Sequence, residues 1–185
     1  MQFLIINGNP KTDGLSHSVM QEIVRGASAA GVDTKVLNVS AFKRCAVCGE
    51  GWGTCRSEHK CAFGEDGFNE AQEKVRQAEM LCIITPVYWG EMAEGLKCFL
   101  DRLRRCEFGQ AGALRGKPVL ITACPGGSGN GLIPCMDQID RFCRHTGALI
   151  FDYIGVNRWN CDYKRIAAYS AANAMCSGRK AGESI

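Results

Sequence analysis

Short, almost continuously apolar runs alternate along the chain with stretches whose apolar positions recur every three or four residues. "QFLIING" (2–8) predicts a buried strand. "LSHSVMQEIVRGASAAG" predicts a helix carrying Leu15, Val19, Met20, Ile23, Val24 and Ala27 on one face and stopped by Gly31. "TKVLNV" (34–39) reads as a second strand, "FNEAQEKVRQA" as a short amphipathic helix and "MLCIITP" as a third strand. A helix "MAEGLKCFLDRLRRC" comes next, with Met92, Leu96, Phe99, Leu100 and Leu103 on one stripe. "KPVLITAC" is the fourth strand, "LIPCMDQIDRFCRHTG" a helix ending at Gly147, and "ALIFDYIGV" the fifth strand. An Ala-rich helix from about Tyr163 comes last.

Strict alternation of apolar strands with helices implies a parallel sheet covered on both faces and joined by right-handed crossovers. Five strands suit the doubly wound, flavodoxin-like α/β order 2-1-3-4-5. Ligands of such sheets bind beyond the carboxyl ends of the strands where the order reverses, which here means the loops after the first and third strands. With 185 residues the chain suits one domain, residues 1–185, since about 150 residues already bury roughly 70% of the unfolded surface. A cysteine-rich loop at about 43–66 interrupts it.

No apolar run approaches the roughly 20 residues that span a bilayer, and "MQFLIINGNP" has no basic segment ahead of its apolar run. The expectation is a cytoplasmic protein with no membrane partner. A net charge of +3 rests on well-mixed signs, and its one basic cluster, "RLRR" (102–105), reads as the solvated face of a helix. No nucleic-acid partner is expected.

The loop after the first strand, "NGNPKTDGLSHS" (7–18), runs into a helix start with two glycines, several hydroxyls and a lysine. A helix N-terminus offers unpaired N–H groups and about half a positive charge, so this loop suits a phosphate. Asn9, Lys11, Ser16 and Ser18 supply further donors, and His17 is within reach. The loop lacks both GxGxxG and GxxxxGK[ST], which weakens the dinucleotide-fold and triphosphatase readings. Pro86, Val87, Tyr88 and Trp89, ending the third strand, offer an aromatic and backbone-lined wall for a planar heterocycle.

Together "NGNPKTDGLSHS" and "TPVYWGEMAEGLKCFLDR" resemble the two signatures of the NAD(P)H-dependent FMN reductase family, which includes the iron–sulfur flavoproteins. The resemblance runs from Gln2 to about Val156. It implies FMN as cofactor, with Asn9, Lys11, Ser16 and Ser18 at the phosphate and Pro86, Val87, Tyr88 and Trp89 flanking the isoalloxazine. It also places Cys124, Gly126 and Gly127, in "CPGGSGNG", at the flavin's other side. The family pattern has Ser at Asn9, Arg at Lys11 and Thr at Ser16, and each replacement keeps a donor. The activity implied by the resemblance is that of a reductase passing electrons from NAD(P)H to a flavin, quinone or metal, as a homodimer or tetramer. The flavin carries the redox chemistry, so no side chain is nominated as catalytic. The competing class is a flavodoxin-type electron carrier.

Twelve cysteines in a chain of this size, most of them in core-like elements, read as free thiols rather than a disulfide scaffold. Cys82, Cys98 and Cys143 fall in apolar-periodic elements, where cysteine acts as a small buried hydrophobe. Cys45, Cys48, Cys55 and Cys61 differ: four thiols within seventeen residues, spaced by Gly49, Gly51 and Gly53. In the iron–sulfur flavoproteins a more compact motif at this place binds a [4Fe-4S] cluster. Four thiolates suit such a cluster or zinc equally by type, and a metal-free loop of free or reversibly paired thiols is the third reading. The four are expected to act as one unit beside the flavin, without the other eight. Trp52 is a candidate lid over the flavin or a dimer contact.

Overall fold

The computed structural model describes residues 1–108 and 113–178. Its sheet is parallel and follows the anticipated order. The strands are β1 (Gln2–Asn7), β2 (Asp33–Asn38), β3 (Met80–Tyr88), β4 (Glu91–Met92), β5 (Pro118–Pro125) and β6 (Leu149–Gly155). Five of them run β2-β1-β3-β5-β6, which is the predicted 2-1-3-4-5 once the short β4 is set aside. β4 was not anticipated. It folds back antiparallel on β3, pairing Val87 with Met92 and Tyr88 with Glu91. Met92 therefore belongs to a hairpin, and the helix read from it begins two residues later.

The helices are α1 (Gly14–Ala29), α2 (Thr54–Ser57), α3 (Phe68–Gln77), α4 (Glu94–Cys106), α5 (Leu132–Thr146) and α6 (Cys161–Cys176). None among the described residues is long and apolar enough to cross a membrane. α1 and α6 cover one face, packing Val19, Ile23, Ala168 and Ala172 onto Phe3, Ile5, Cys82 and Ile84. Gly26 lets them approach closely, because a Cβ there would collide with the Tyr169 backbone. α3, α4 and α5 cover the other face, with Phe68, Phe99, Leu103, Ile139 and Phe142 over Leu4, Ile6, Leu81 and Ile121. The period-two strand pattern thus feeds two separate cores, one on each side of the sheet.

Burial corrects two further expectations. Cys82 and Cys143 are fully buried, but Cys98 and Cys161 are only partly so, being turned toward the outer sides of α4 and α6. The "RLRR" segment is not a solvated face. Arg102 is 2% exposed, and its guanidinium lies 4.1 Å from the centre of the Phe68 ring.

Candidate functional site

Two cavities open at the carboxyl ends of β1, β3 and β5, where the strand order predicts a ligand. The first, about 360 Å³, is lined by Asn7, Asn9, Lys11, Thr12, His17 and Ser40 among others. Side-chain hydrogen bonds hold its loop in shape. Asn7 Oδ1 accepts from the Asn9 N–H at 3.0 Å, Asn9 Oδ1 accepts from the Lys11 N–H at 3.1 Å, and Asn9 Nδ2 donates to the Asp13 carbonyl at 3.2 Å. Asn9 is buried and builds the loop from within. Ser18 Oγ donates to the Leu15 carbonyl, and His17 pairs with Gln21. Lys11 is exposed, and α1 begins without a side-chain cap. Its first N–H groups and Lys11 are therefore the donors this loop has available for an anion.

Ser16 is buried and in hydrogen-bond contact with Cys124 at the end of β5. Burial pushes the Cys124 thiol up to about 12, so it is a neutral packing group beneath the site. The contact ties the first loop to the glycine-rich one.

The second cavity, about 610 Å³, lies between Val87, Tyr88, Trp89 and Gly90 on one side and Pro125 to Ser128, Asn130 and Gly131 on the other. Ligand pockets commonly measure about 300–1,000 Å³. Pro86 is buried in β3 just below, while Tyr88 is half exposed and Gly126 and Gly127 are open to solvent. Trp89 and Gly90 are the two central residues of the β3–β4 hairpin, with φ of +54° and +83°. Positive φ at both positions is the type I′ pattern, which favours Asn-Gly. A tryptophan there is strained, and the turn holds its side chain fully in solvent at the cavity mouth. A Cβ on Gly131 would lie 2.5 Å from Gly90 Cα, so the two rims meet this closely only because residue 131 is glycine.

The cysteine segment forms a separate recess. Beyond Ser40, whose Cα would lie 2.6 Å from a Cβ at Gly95, the chain follows α4 along its length. Arg102 gathers it, donating to the Lys43 carbonyl at 3.1 Å, the Phe63 carbonyl at 2.9 Å, Asp66 at 2.7 and 3.1 Å, and Cys61 Sγ at 3.4 Å. Burial alone would raise the Asp66 carboxyl, but hydrogen bonds led by Arg102 outweigh it and hold Asp66 below the ordinary range. Arg105 donates to the Gly51 carbonyl and lies over Trp52, which packs on Phe108 with ring centres 5.2 Å apart. Trp52 therefore covers the C-terminal end of α4, not the cavities at the strand ends.

Cys45, Cys48, Cys55 and Cys61 all line this recess, and Cys106 from α4 lines it with them. Cys106, which the spacing did not group with the four, thus lies beside them in space. Burial, then the nearby Cys61 and Cys55, push the Cys106 thiol up to about 12. No three Cys, His, Asp or Glu side chains among the described residues are drawn together tightly enough for a single metal ion. Backbone strain concentrates here as well, with Val47, Glu50 and His59 all near φ +50° to +55°. Arg102 and Cys106 lie eight and twelve residues beyond Glu94, about 12 and 18 Å along the helix at about 1.5 Å per residue. The recess therefore lies toward the C-terminal end of α4, away from the helix start beside the β3–β4 hairpin.

A flavodoxin-like sheet whose crossover loops present an uncapped helix N-terminus and an aromatic–glycine cleft defines the flavin-binding α/β class. The profile of the NADPH-dependent FMN reductase family matches residues 1–159, and the chain belongs to that family. It is 30% identical over 136 residues to an iron–sulfur flavoprotein of Methanosarcina thermophila, covering 71% of this chain and 66% of that one. To an iron–sulfur flavoprotein of Methanocaldococcus jannaschii it is 28% identical over 109 residues, covering 59% and 55%. The chain thus spans about half to two thirds of the length of these curated relatives. Among solved structures, an NAD(P)H:quinone oxidoreductase from Methanothermobacter marburgensis superimposes with a TM-score of 0.72 at 17% identity, covering 95% of this chain and 96% of that one.

Thr12 and Ser40 were missed by sequence reasoning, as were Gly90, Gly131, Arg102, Arg105 and Cys106. For Arg102 a signal existed, since it lies three residues from Phe99 and borders the apolar stripe of α4.

Proposed function

We propose that this chain is an FMN-dependent oxidoreductase that accepts hydride from NADH or NADPH and passes electrons to a small acceptor such as a flavin, quinone or metal. The observation that carries this reading is the open cleft between the Tyr88–Trp89–Gly90 turn and the Gly126–Gly131 loop. Its size and exposure leave room for a nicotinamide or acceptor to reach a ring held against the strand ends.

The residues fit FMN. The uncapped start of α1 and Lys11 suit the phosphate, with Asn9 fixing the loop and Ser16, His17 and Ser18 in the turn above it. Pro86, Val87, Tyr88 and Trp89 would wall the ring, and Cys124, Gly126 and Gly127 would bring backbone to its other side. FMN supplies the two-electron acceptance and the one- or two-electron release, while the chain orients it and limits solvent access. Anaerobic stopped-flow mixing of FMN-loaded protein with NADH or NADPH is the test. Rapid flavin bleaching supports the reductase. Bleaching only by dithionite or a protein donor supports a flavodoxin-type carrier.

The thiol-lined recess favours a second reading, an iron–sulfur flavoprotein. Its donor set fits: thiolates are the ligands of such clusters, and Arg102 and Arg105 offset their charge. Cys45, Cys48, Cys55 and Cys61 would hold a [4Fe-4S] cluster, which supplies one-electron transfer. Iron and sulfide analysis after anaerobic preparation tests it. We further propose a cytoplasmic homodimer or tetramer, supported by exposed Tyr88, Trp89, Trp159, Tyr163 and Ile166 near the flavin end. A monomer mass by light scattering with FMN bound would overturn it.

A further inference from the structure

The sequence motif stops at Cys61, but the recess does not. Its inner wall is the C-terminal part of α4, where Arg102, Arg105 and Cys106 all face the cysteine segment. We propose that Cys106 is a ligand of a thiolate-bound metal centre in this recess, contributed by α4 to the set begun by the loop. The inference rests on reading the loop as a metal site and revises its ligand set, because four thiolates complete such a centre and Cys106 would take the place of one of the four loop cysteines.

Three independent features place Cys106 in that role. The first is position. Cys106 is 1% exposed and belongs to a packed helix, whereas Cys45, Cys48 and Cys61 lie in non-helical chain. Fixing one ligand on a rigid element lowers the ordering cost of gathering the others.

The second is a clamp built around this residue. The Cys106 carbonyl accepts from His59 Nδ1 at 3.1 Å, and the His59 carbonyl accepts from Gln72 Nε2 at 2.9 Å and Arg76 Nη2 at 3.0 Å. Gln72 Nε2 and Arg76 Nε also donate to the carboxylate of the next residue, Glu107, at 2.6 and 2.9 Å. Gln72 and Glu107 are almost wholly buried. The loop residue between Cys55 and Cys61 is thereby locked in register with Cys106. His59 also holds a left-handed backbone at φ +55°, a strain the clamp sustains.

Charge is the third. Several thiolates in one recess repel each other, and burying them without compensation is costly. Arg102 is buried and reaches Cys61 Sγ, while Arg105 lines the same wall. Both guanidiniums come from the helix that carries Cys106. The wide Cys48-x6-Cys55 gap makes such a recruit useful, because a ligand fixed on α4 relieves the loop of supplying the whole set.

The test uses the full chain, expressed and purified anaerobically with iron supplied. Wild type, Cys106→Ser, Cys98→Ser and single serine variants of Cys45, Cys48, Cys55 and Cys61 are compared for bound iron, sulfide and zinc, and for the electron paramagnetic resonance of the dithionite-reduced state. Cys98 is the control, on the same helix but outside the recess. In Cys106→Ser, bound metal is expected to fall by about tenfold or more, or its resonance to change, at least the effect of losing a supporting contact. Cys98→Ser should match wild type. Folding is checked by circular dichroism and FMN binding.

A second readout needs no variant. Native alkylation with mass mapping should find Cys106 protected in the metal-bound wild type and labelled after chelation. Metal with an unchanged resonance in Cys106→Ser, or equal labelling before and after chelation, overturns the role of Cys106 while leaving the loop's metal reading intact. A wild type that takes up neither iron nor zinc overturns both. Zinc in place of iron, lost with Cys106, supports the proposal and redirects the metal's identity.

Discussion

The flavin end and the cysteine recess are both loop structures on one sheet, yet they are built from opposite materials. At the flavin end the determinants are local and largely backbone: a helix start, a hairpin turn and a glycine-rich loop, each contiguous in sequence. In the recess they are side chains brought from a distance, because Arg102 binds carbonyls and carboxylates 36 to 59 positions away. A site made by local backbone tolerates change in its side chains and fails on a misplaced Cβ. A site assembled by one buried cation fails when that cation is removed.

The sharpest test of this contrast is Arg102→Ala. It leaves Asp66 largely buried without its counter-ion and deletes the contact on Phe68. Breaking one side of a buried pair costs about 3–5 kcal/mol. Denaturant unfolding should show that loss, and thiol labelling should show Cys45, Cys48 and Cys61 uniformly reactive. A loss below about 1 kcal/mol, the range of surface pairs, would mean the guanidinium is not what organises the recess.

At the other end, Gly131→Ala has the next largest effect. The new Cβ meets Gly90 Cα at 2.5 Å, and φ is +80°. Such strain costs about 1–3 kcal/mol. Because the clash lies on the cavity rim, FMN affinity measured by fluorescence quenching should fall while labelling of the recess thiols stays unchanged. Equal disturbance at both places would erase the distinction between them.

Trp89→Gly should act in opposite directions on stability and binding. Relieving a left-handed tryptophan stabilises by about 1 kcal/mol. If its ring walls the flavin, thermal unfolding without FMN should shift upward and FMN affinity should drop. A variant that gains stability and binds FMN unchanged would remove Trp89 from the site.

Legibility in the sequence divides along the same line. The strand order, the two cores and the loops beyond β1 and β3 were readable because each depends on period-two or period-3.6 patterns and on contiguous turn chemistry. The β3–β4 hairpin was not. Its turn signal is normally Asn-Gly, and Trp89-Gly90 in front of a helical stripe disguises it. In the recess the four loop cysteines stood out by spacing. "RLRR" was misread because a charge run on a helix is usually solvated, and nothing local reveals that Asp66 and three carbonyl-bearing turns will fold over it. Cys106 was missed for the same reason, since its partners lie 45 and 51 positions earlier in the chain.

The smallest effect sets the recess apart from the rest of the fold by pH. Asp66 in the recess is held low by hydrogen bonds led by Arg102, against the opposing effect of burial. Asp140 on α5, outside both regions, is held low chiefly by Arg144, with Tyr153 adding a further bond. A carboxylate whose folded value is depressed contributes stability that is fully present above its unfolded value, about 3.9, and lost as pH falls through the folded value. Unfolding free energy should therefore decline below about pH 4, and Asp66→Asn and Asp140→Asn should each flatten that decline. The two carboxylates differ in what they hold. Protonating Asp66 loosens the partner of Arg102, so the acid-induced rise in thiol reactivity of Cys61 relative to Cys98 should vanish in Asp66→Asn and persist in Asp140→Asn. Persistence in both would show that Asp66 does not gate the recess, and loss in both would mean that acid acts on the whole fold at once.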